Sequence, residues 1–204
     1  MNIKDFAELI RGKGRELSSF MQDRMPVIAG RMAKDHYQDN FRKGGFVDKT
    51  LKKWPAAKRL SSGGKSAAAN YGTLLSGRNH LFSSISYTPG KARVRVYNGA
   101  THAPTHNFGE TIEPTVTPKM RRFAWAKYYE AGGGKKNAGK NRKKGKKAAA
   151  EESDEAKFWK NFALTKKKKL SIKMPERKFL GESQTLNNKI IEKQDSEIRK
   201  ILDL

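Results

Sequence analysis

His102 and His106 stand four residues apart, a spacing that puts both imidazoles on one face of a helix. Such a pair is the start of a divalent metal site, which needs further ligands. Glu110 is the nearby carboxylate and the sequence has no second histidine pair, so a packed or hydrogen-bonded His106 is the simpler reading. Gly63-Gly64-Lys65-Ser66 imitates the end of a phosphate-binding loop. That loop requires a first glycine where this chain has Arg59, and a strand before it. The segment therefore reads as a flexible surface loop. With no cysteine there is no thiolate nucleophile and no disulfide framework. No Gly-x-Ser-x-Gly elbow is present, and the carboxylates fall on charged helix faces or in the cluster 151–155. Catalytic residues, a cofactor and a metal are all expected to be absent.

Charge is the strongest chemical signal. The 204 residues carry a formal net charge of +24. The densest focus is the run Lys135, Lys136, Lys140, Arg142, Lys143, Lys144, Lys146 and Lys147, within which no acidic residue occurs. A second focus is Lys166-Lys167-Lys168-Lys169. Fields of this kind draw polyanions: nucleic acid, an anionic membrane or an acidic protein surface. The run 135–147 holds no aromatic for base stacking, so any nucleic-acid contact there goes to phosphates and ignores sequence. Direct DNA contact and docking to an acidic neighbouring protein fit it equally well, beside a merely solvated loop. No stretch approaches the ~20 apolar residues that span a bilayer. The first residues lack the apolar centre of a signal peptide. Assembly in a cytoplasm, away from membranes, is the expectation.

Hydrophobic residues make up 36% of the chain, low enough that part of it must stay outside any core. Ile3, Phe6, Ile10, Leu17, Phe20 and Met21 recur at helical spacing, although Gly12 and Gly14 each weaken the helix by ~1 kcal/mol. Pro26 starts a second helix or a kink, which Gly44-Gly45 ends. Residues 46–70 read as irregular, tacked to the core by Phe46, Trp54 and Leu60. Ile85 and Tyr87, the turn Thr88-Pro89-Gly90-Lys91, and Arg93 to Tyr97 make a hairpin with valines on one face and arginines on the other. A short helix spans 101–108, and Gly109 suits its C-cap. Residues 112–116 read as an edge strand, with Pro114 in it. Residues 119–130 read as a helix with Met120, Phe123, Ala124, Tyr128 and Ala131 on one side. Residues 132–156 form a basic flexible insertion, and order resumes at Phe158. Residues 164–174 read as a strand. Ser183 caps a closing helix whose stripe of Leu186, Ile190, Ile198 and Ile201 serves as core or as partner surface. These elements describe an α+β fold. N-terminal helices and a C-terminal helix pack on a small, mostly antiparallel sheet, with the long basic insertion set into it. Segments 1–131 and 158–204 are expected to form a single domain.

Two segments stand out within this order. One is Thr101 to Gly109, ending His106-Asn107-Phe108-Gly109; the other is Lys173 to Gly181, containing Pro175, Arg177, Phe179, Leu180 and Gly181. Each combines an aromatic that favours burial with a glycine that permits unusual backbone angles. Together with Trp54 in the preceding loop, and Leu75, Gly77 and Leu81 leading into the hairpin, they resemble the phage virion morphogenesis (tail completion) family. The resemblance covers roughly residues 25–130 and 158–204. His102 stands where the family more often has tyrosine, and Lys178 where a second proline is common.

The resemblance implies helices against a small sheet and a structural, non-enzymatic role in the bacteriophage neck. There, copies of the chain would form a homo-oligomeric ring of sixfold or twelvefold symmetry, completing the tail and joining it to the head. Partners would be tail-terminator and head-completion or connector proteins, with genomic DNA touched nonspecifically. The site would be the virion neck, assembled in the host cytoplasm. The alternative is a nonspecific basic nucleic-acid-binding protein. Under either reading the two segments act as scaffold, with His106 to Gly109 a helix end pinned by a buried ring.

Overall fold

Helix α1 (Ile3–Ser19) opens with a reciprocal cap. The Asn2 side chain accepts from the Asp5 N–H at 2.8 Å, and the Asp5 carboxylate accepts from the Asn2 N–H at 3.3 Å, satisfying two otherwise orphaned donors. The chain in this computed structural model is described for residues 2–61, 70–134 and 153–203. α1 runs through a π-helical turn (Phe20–Arg24) into α2 (Met25–Lys43), with Pro26 in the first turn of α2. Proline has no N–H to give the carbonyl four residues back. That carbonyl, Gln22 O, instead accepts the Ala92 N–H at 2.9 Å. Gly44, at φ +66°, closes α2 as expected.

Residues 46–61 are less irregular than the sequence suggests. β1 (Gly45–Val47) and β2 (Leu51–Lys53) form an antiparallel hairpin. Strands of three residues are too short to show alternation, and the connecting loop holds no glycine. Phe46 and Trp54 are buried as expected, whereas Leu60 is exposed. After a 3-10 turn (Lys58–Ser61) and a short helix α3 (His80–Ser83), β3 (Ile85–Gly90) pairs with β4 (Arg93–Asn98). The turn is Lys91-Ala92, later than expected, because Gly90 already pairs with Arg93 and Gln22 holds the Ala92 amide. Helix α4 (Ala103–Phe108) ends at Gly109, φ +70°.

β5 (Glu110–Ile112) pairs with β6 (Ile172–Met174). Of the expected strand 112–116, Ile112 ends β5 and Thr115 forms a bridge with Lys169, the ladder being broken at Pro114, which has no N–H to donate. The expected strand 164–174 shortens to β6, because helix α6 (Asp154–Leu164) takes up Leu164 and four successive lysines favour neither face. α6 begins inside the expected insertion, capped by Ser153 Oγ, which accepts the Ala156 N–H at 3.2 Å. Helix α5 (Pro118–Glu130) is capped by Thr117. It packs on α6 through Ala124, Tyr128, Ala156 and Ala163, whose small or flat side chains allow close approach. Phe123, placed by its spacing on the side of Ala124 and Tyr128, is exposed. Helix α7 (Gln184–Leu202) is capped by Ser183, as its sequence implies.

The architecture is α+β, with helices packed against small antiparallel sheets. In place of one sheet there are three of two strands each among the described residues. Contacts divide the chain into two compact units: Met1–Glu110 with Met174–Leu204, and Thr111–Lys173. The expected segments 1–131 and 158–204 each contribute to both. In the first unit Phe41, Phe179 and Ile85 are buried almost completely, among Tyr37, Phe46, Trp54, Leu81 and Leu186. A smaller cluster joins Phe20 and Met25 to Ile201 of α7. Among the described residues no helix is long and apolar enough to cross a membrane.

Candidate functional site

The two distinctive segments meet within the first unit and clasp each other. Asn107 sits on the last turn of α4, one turn beyond Ala103, and both are buried. Its Oδ1 accepts the backbone N–H groups of Phe179 and Leu180, each at 2.9 Å. One residue earlier, the His106 carbonyl accepts the Arg177 N–H at 2.8 Å. Gly109 lies flat on the same strap. A Cβ there would come within 2.8 Å of Glu176 N and 3.1 Å of Met174 O, and the positive φ also excludes most side chains.

The strap is tied on its other side to the loop around Trp54. The indole Nε1 donates to the Lys178 carbonyl at 2.7 Å. Arg177 is 6% exposed, and its guanidinium donates to the carbonyls of Pro55 at 2.8 Å and Ala56 at 3.3 Å. Burial lowers its pKa, and Arg59 adds repulsion. Tyr37 Oη donates to the Gly181 carbonyl at 2.8 Å. Between these ties Phe179 is inserted beside Phe41, ring centroids 5.2 Å apart, and Phe41 meets Trp54 edge-on at 5.3 Å. Pro175 is half-buried where the strap begins, and Leu180 packs against the same core.

One expectation fails. Phe108 is 72% exposed, so α4 is not pinned by a buried Phe108 ring. The inward side of α4 belongs to Ala103 and Asn107, and the next residue is turned about 100° away. The residues that the sequence missed are Asn107, Tyr37 and Ser183 in its second role, donating to the Val47 carbonyl at 2.8 Å. The spacing of Ala103 and Asn107 was a readable sign of a shared face; their partners lie too far along the chain to be read.

His106 stands at the edge of the clasp. Its ring meets His102 edge-on at 5.7 Å, and His102 stacks on His80 at 5.6 Å. Its Nδ1 is buried without a hydrogen-bond partner. Burial lowers its pKa, helped by His102 and Arg177. Among the described residues no group of three or more His, Cys, Asp or Glu is placed to hold a metal ion. Beside Trp54 and Lys178 lies a shallow groove, where Asp48 accepts the Gln184 N–H at 2.9 Å and Lys178 Nζ rests 4.6 Å from the Phe46 ring centre. The arrangement can hold chain segments together. The run Lys135, Lys136, Lys140, Arg142, Lys143, Lys144, Lys146 and Lys147 lies outside the described residues, as does the segment 63–66.

The first unit also presents an uncovered apolar face. Toward its end α1 contributes Leu17 to the Phe20–Met25–Ile201 cluster, and Lys13 pairs with Asp203 at 2.8 Å. Further toward the N-terminus Ile3, Phe6, Leu9 and Ile10 stay exposed, Ile3 at 88%. None of the 17 residues of α1 is buried. Set against protein-family models, curated proteins and solved structures, the chain finds no match.

Proposed function

We propose that this chain is a structural protein of a bacteriophage neck, completing the tail and joining it to the head connector as one subunit of a ring. The observation that carries the reading is α1. A helix of 17 residues with a capped start has no fully buried side chain, and the face that brings Leu17 into a packed seam carries, beyond Gly14, the exposed Ile10, Phe6 and Ile3. Apolar stripes of this kind are interaction surfaces. A heterologous contact repeated around an axis closes into a ring. The segments that carry the family resemblance support the same reading, because they act as a tie within the scaffold. Tail-terminator and connector proteins are the partners above and below such a ring, and the chain performs no turnover.

The native mass of the purified chain tests this. A discrete oligomer is expected, and replacing Ile3, Phe6 and Ile10 by serine is expected to reduce it to monomer and to abolish head–tail joining. A wild-type chain that stays monomeric at all concentrations and is dispensable for joining would sink the reading. A second reading, a basic nucleic-acid-binding protein, is favoured by the exposed lysines 166–169. It predicts salt-dependent DNA binding by the monomer.

A further inference from the structure

In the second unit, cations and uncovered aromatic rings share the same helix pair. α5 starts where α6 ends. The Arg121 guanidinium donates to the Ala163 carbonyl at 3.0 Å and to the Thr165 carbonyl, the last acceptors of α6. Its charge offsets the negative end of that helix, which would otherwise repel an anion. Next to it, Val116 N–H reaches the Lys168 carbonyl at 2.8 Å and Leu170 N–H reaches the Pro114 carbonyl at 3.0 Å. This pairing fixes the lysine run beside the start of α5. Lys119, Arg122 and Lys166 to Lys169 are all exposed there. Among the described residues the acid paired with them is Glu113, 3.6 Å from Lys169.

Along α5 from Arg122, the positions three and seven residues on carry Trp125 and Tyr129, on the same helix side. Their rings stack, with centroids 6.2 Å apart and planes inclined by 26°, and Tyr129 is 59% exposed. Two near-parallel rings, half-buried Trp125 and exposed Tyr129, therefore form a ledge on the helix side that carries Arg122. An acidic protein surface would use the charges and leave the ledge idle. A duplex would do the same, because its base faces are hidden. A single strand offers phosphates and open base faces together, the combination that stacking platforms recognise.

We propose that the second unit binds single-stranded nucleic acid, with phosphates on the cluster of Lys119, Arg122 and Lys166 to Lys168 and a base on the Trp125–Tyr129 ledge. This deepens the second reading above and does not depend on the first.

The full-length chain titrated with labelled oligo-dT, with a duplex of equal length and with polyglutamate tests it. Oligo-dT is expected to bind most tightly. Tyr129→Ala is expected to weaken it about tenfold without changing the salt slope, whereas Tyr129→Phe keeps the affinity. Replacing Lys166, Lys167 and Lys168 by serine is expected to lower the log–log salt slope by ~0.7 for each phosphate no longer neutralised. Circular dichroism checks that each variant stays folded. If duplex binds as well as oligo-dT and Tyr129→Ala changes nothing, the ledge is idle: the inference fails while general nucleic-acid binding stands. If none of the three polyanions binds, both fail. Binding that vanishes when the lysines between 135 and 147 are replaced, yet ignores the ledge and cluster variants, also overturns it.

Discussion

Asn107 Oδ1 accepts the backbone N–H of Phe179 at 2.9 Å across 72 residues of sequence, and the N–H of Leu180 at the same distance. One side-chain oxygen thus serves two neighbouring amides of a strap whose central ring is fully buried. Removing it leaves both donors without a protein partner, at ~1–3 kcal/mol for each buried donor. Asn107→Ala is expected to lower unfolding stability by about 2–4 kcal/mol, read from the urea midpoint. Asn107→Leu restores the volume without the acceptor and is expected to recover little. If Leu restores full stability, packing holds the strap and the hydrogen bonds do not.

Glycines inside helices do opposite things in this chain. At Gly14, on exposed α1, a new Cβ meets nothing within 4 Å, so Gly14→Ala is expected to stabilise by up to ~1 kcal/mol through helix propensity. At Gly30 in α2 a Cβ would come within 2.3 Å of Tyr87 Cδ2 and 2.8 Å of Val94 Cγ2, forcing the β3–β4 hairpin off the helix. Overpacking of this kind costs ~1–3 kcal/mol, which exceeds the propensity gain. Gly30→Ala is therefore expected to unfold at lower denaturant concentration than wild type. Equal midpoints for the two variants would show that the hairpin shifts freely.

What the sequence made legible was local chemistry. Pro26 in a first turn, Gly44 beyond a helix end and Ser183 before a helix each act on backbone groups within a few residues, so their effect follows from the residue itself. The α+β class followed from periodicity in the long helices and in β3 and β4. β1 and β2 escaped because three residues cannot show a period of two. Asn107 escaped because a buried amide looks like any surface amide until its distant partners arrive. Phe108 misled for the converse reason: an aromatic side chain favours burial, but Ala103 and Asn107 had already fixed which side of α4 faces inward.

His106 couples the clasp to acidity. Its folded-state pKa lies below the ordinary 6.5, first because of burial, then because His102 and Arg177 repel a proton. His36 is displaced in the same direction, chiefly by burial, although its bond to the Val47 carbonyl opposes the shift. Between the lowered folded value and 6.5 the unfolded chain binds more protons than the folded one, so stability rises with pH through that window. Full stability from these groups is present above 6.5 and is lost as pH falls toward the folded values. Urea midpoints are expected to drop below pH 6.5, and His106→Gln is expected to flatten that drop. An unchanged slope in the variant would assign the acid sensitivity elsewhere.

The phenylalanines of the two clasped segments look alike in sequence and are expected to separate on mutation. Phe179 has no exposed surface and its ring centroid lies 5.2 Å from that of Phe41, so Phe179→Ala is expected to cost ~3–5 kcal/mol, with loss of a cooperative transition if the first unit is only marginally stable. Phe108 is 72% exposed, and Phe108→Ala is expected to stay within ~0.5 kcal/mol of wild type as an isolated chain. The informative measurement is the native mass of Phe108→Ala beside its denaturation curve. An unchanged curve with a changed oligomer distribution places Phe108 in contacts between chains. A curve displaced as far as that of Phe179→Ala would mean that the ring is buried in solution, contrary to the fold described above.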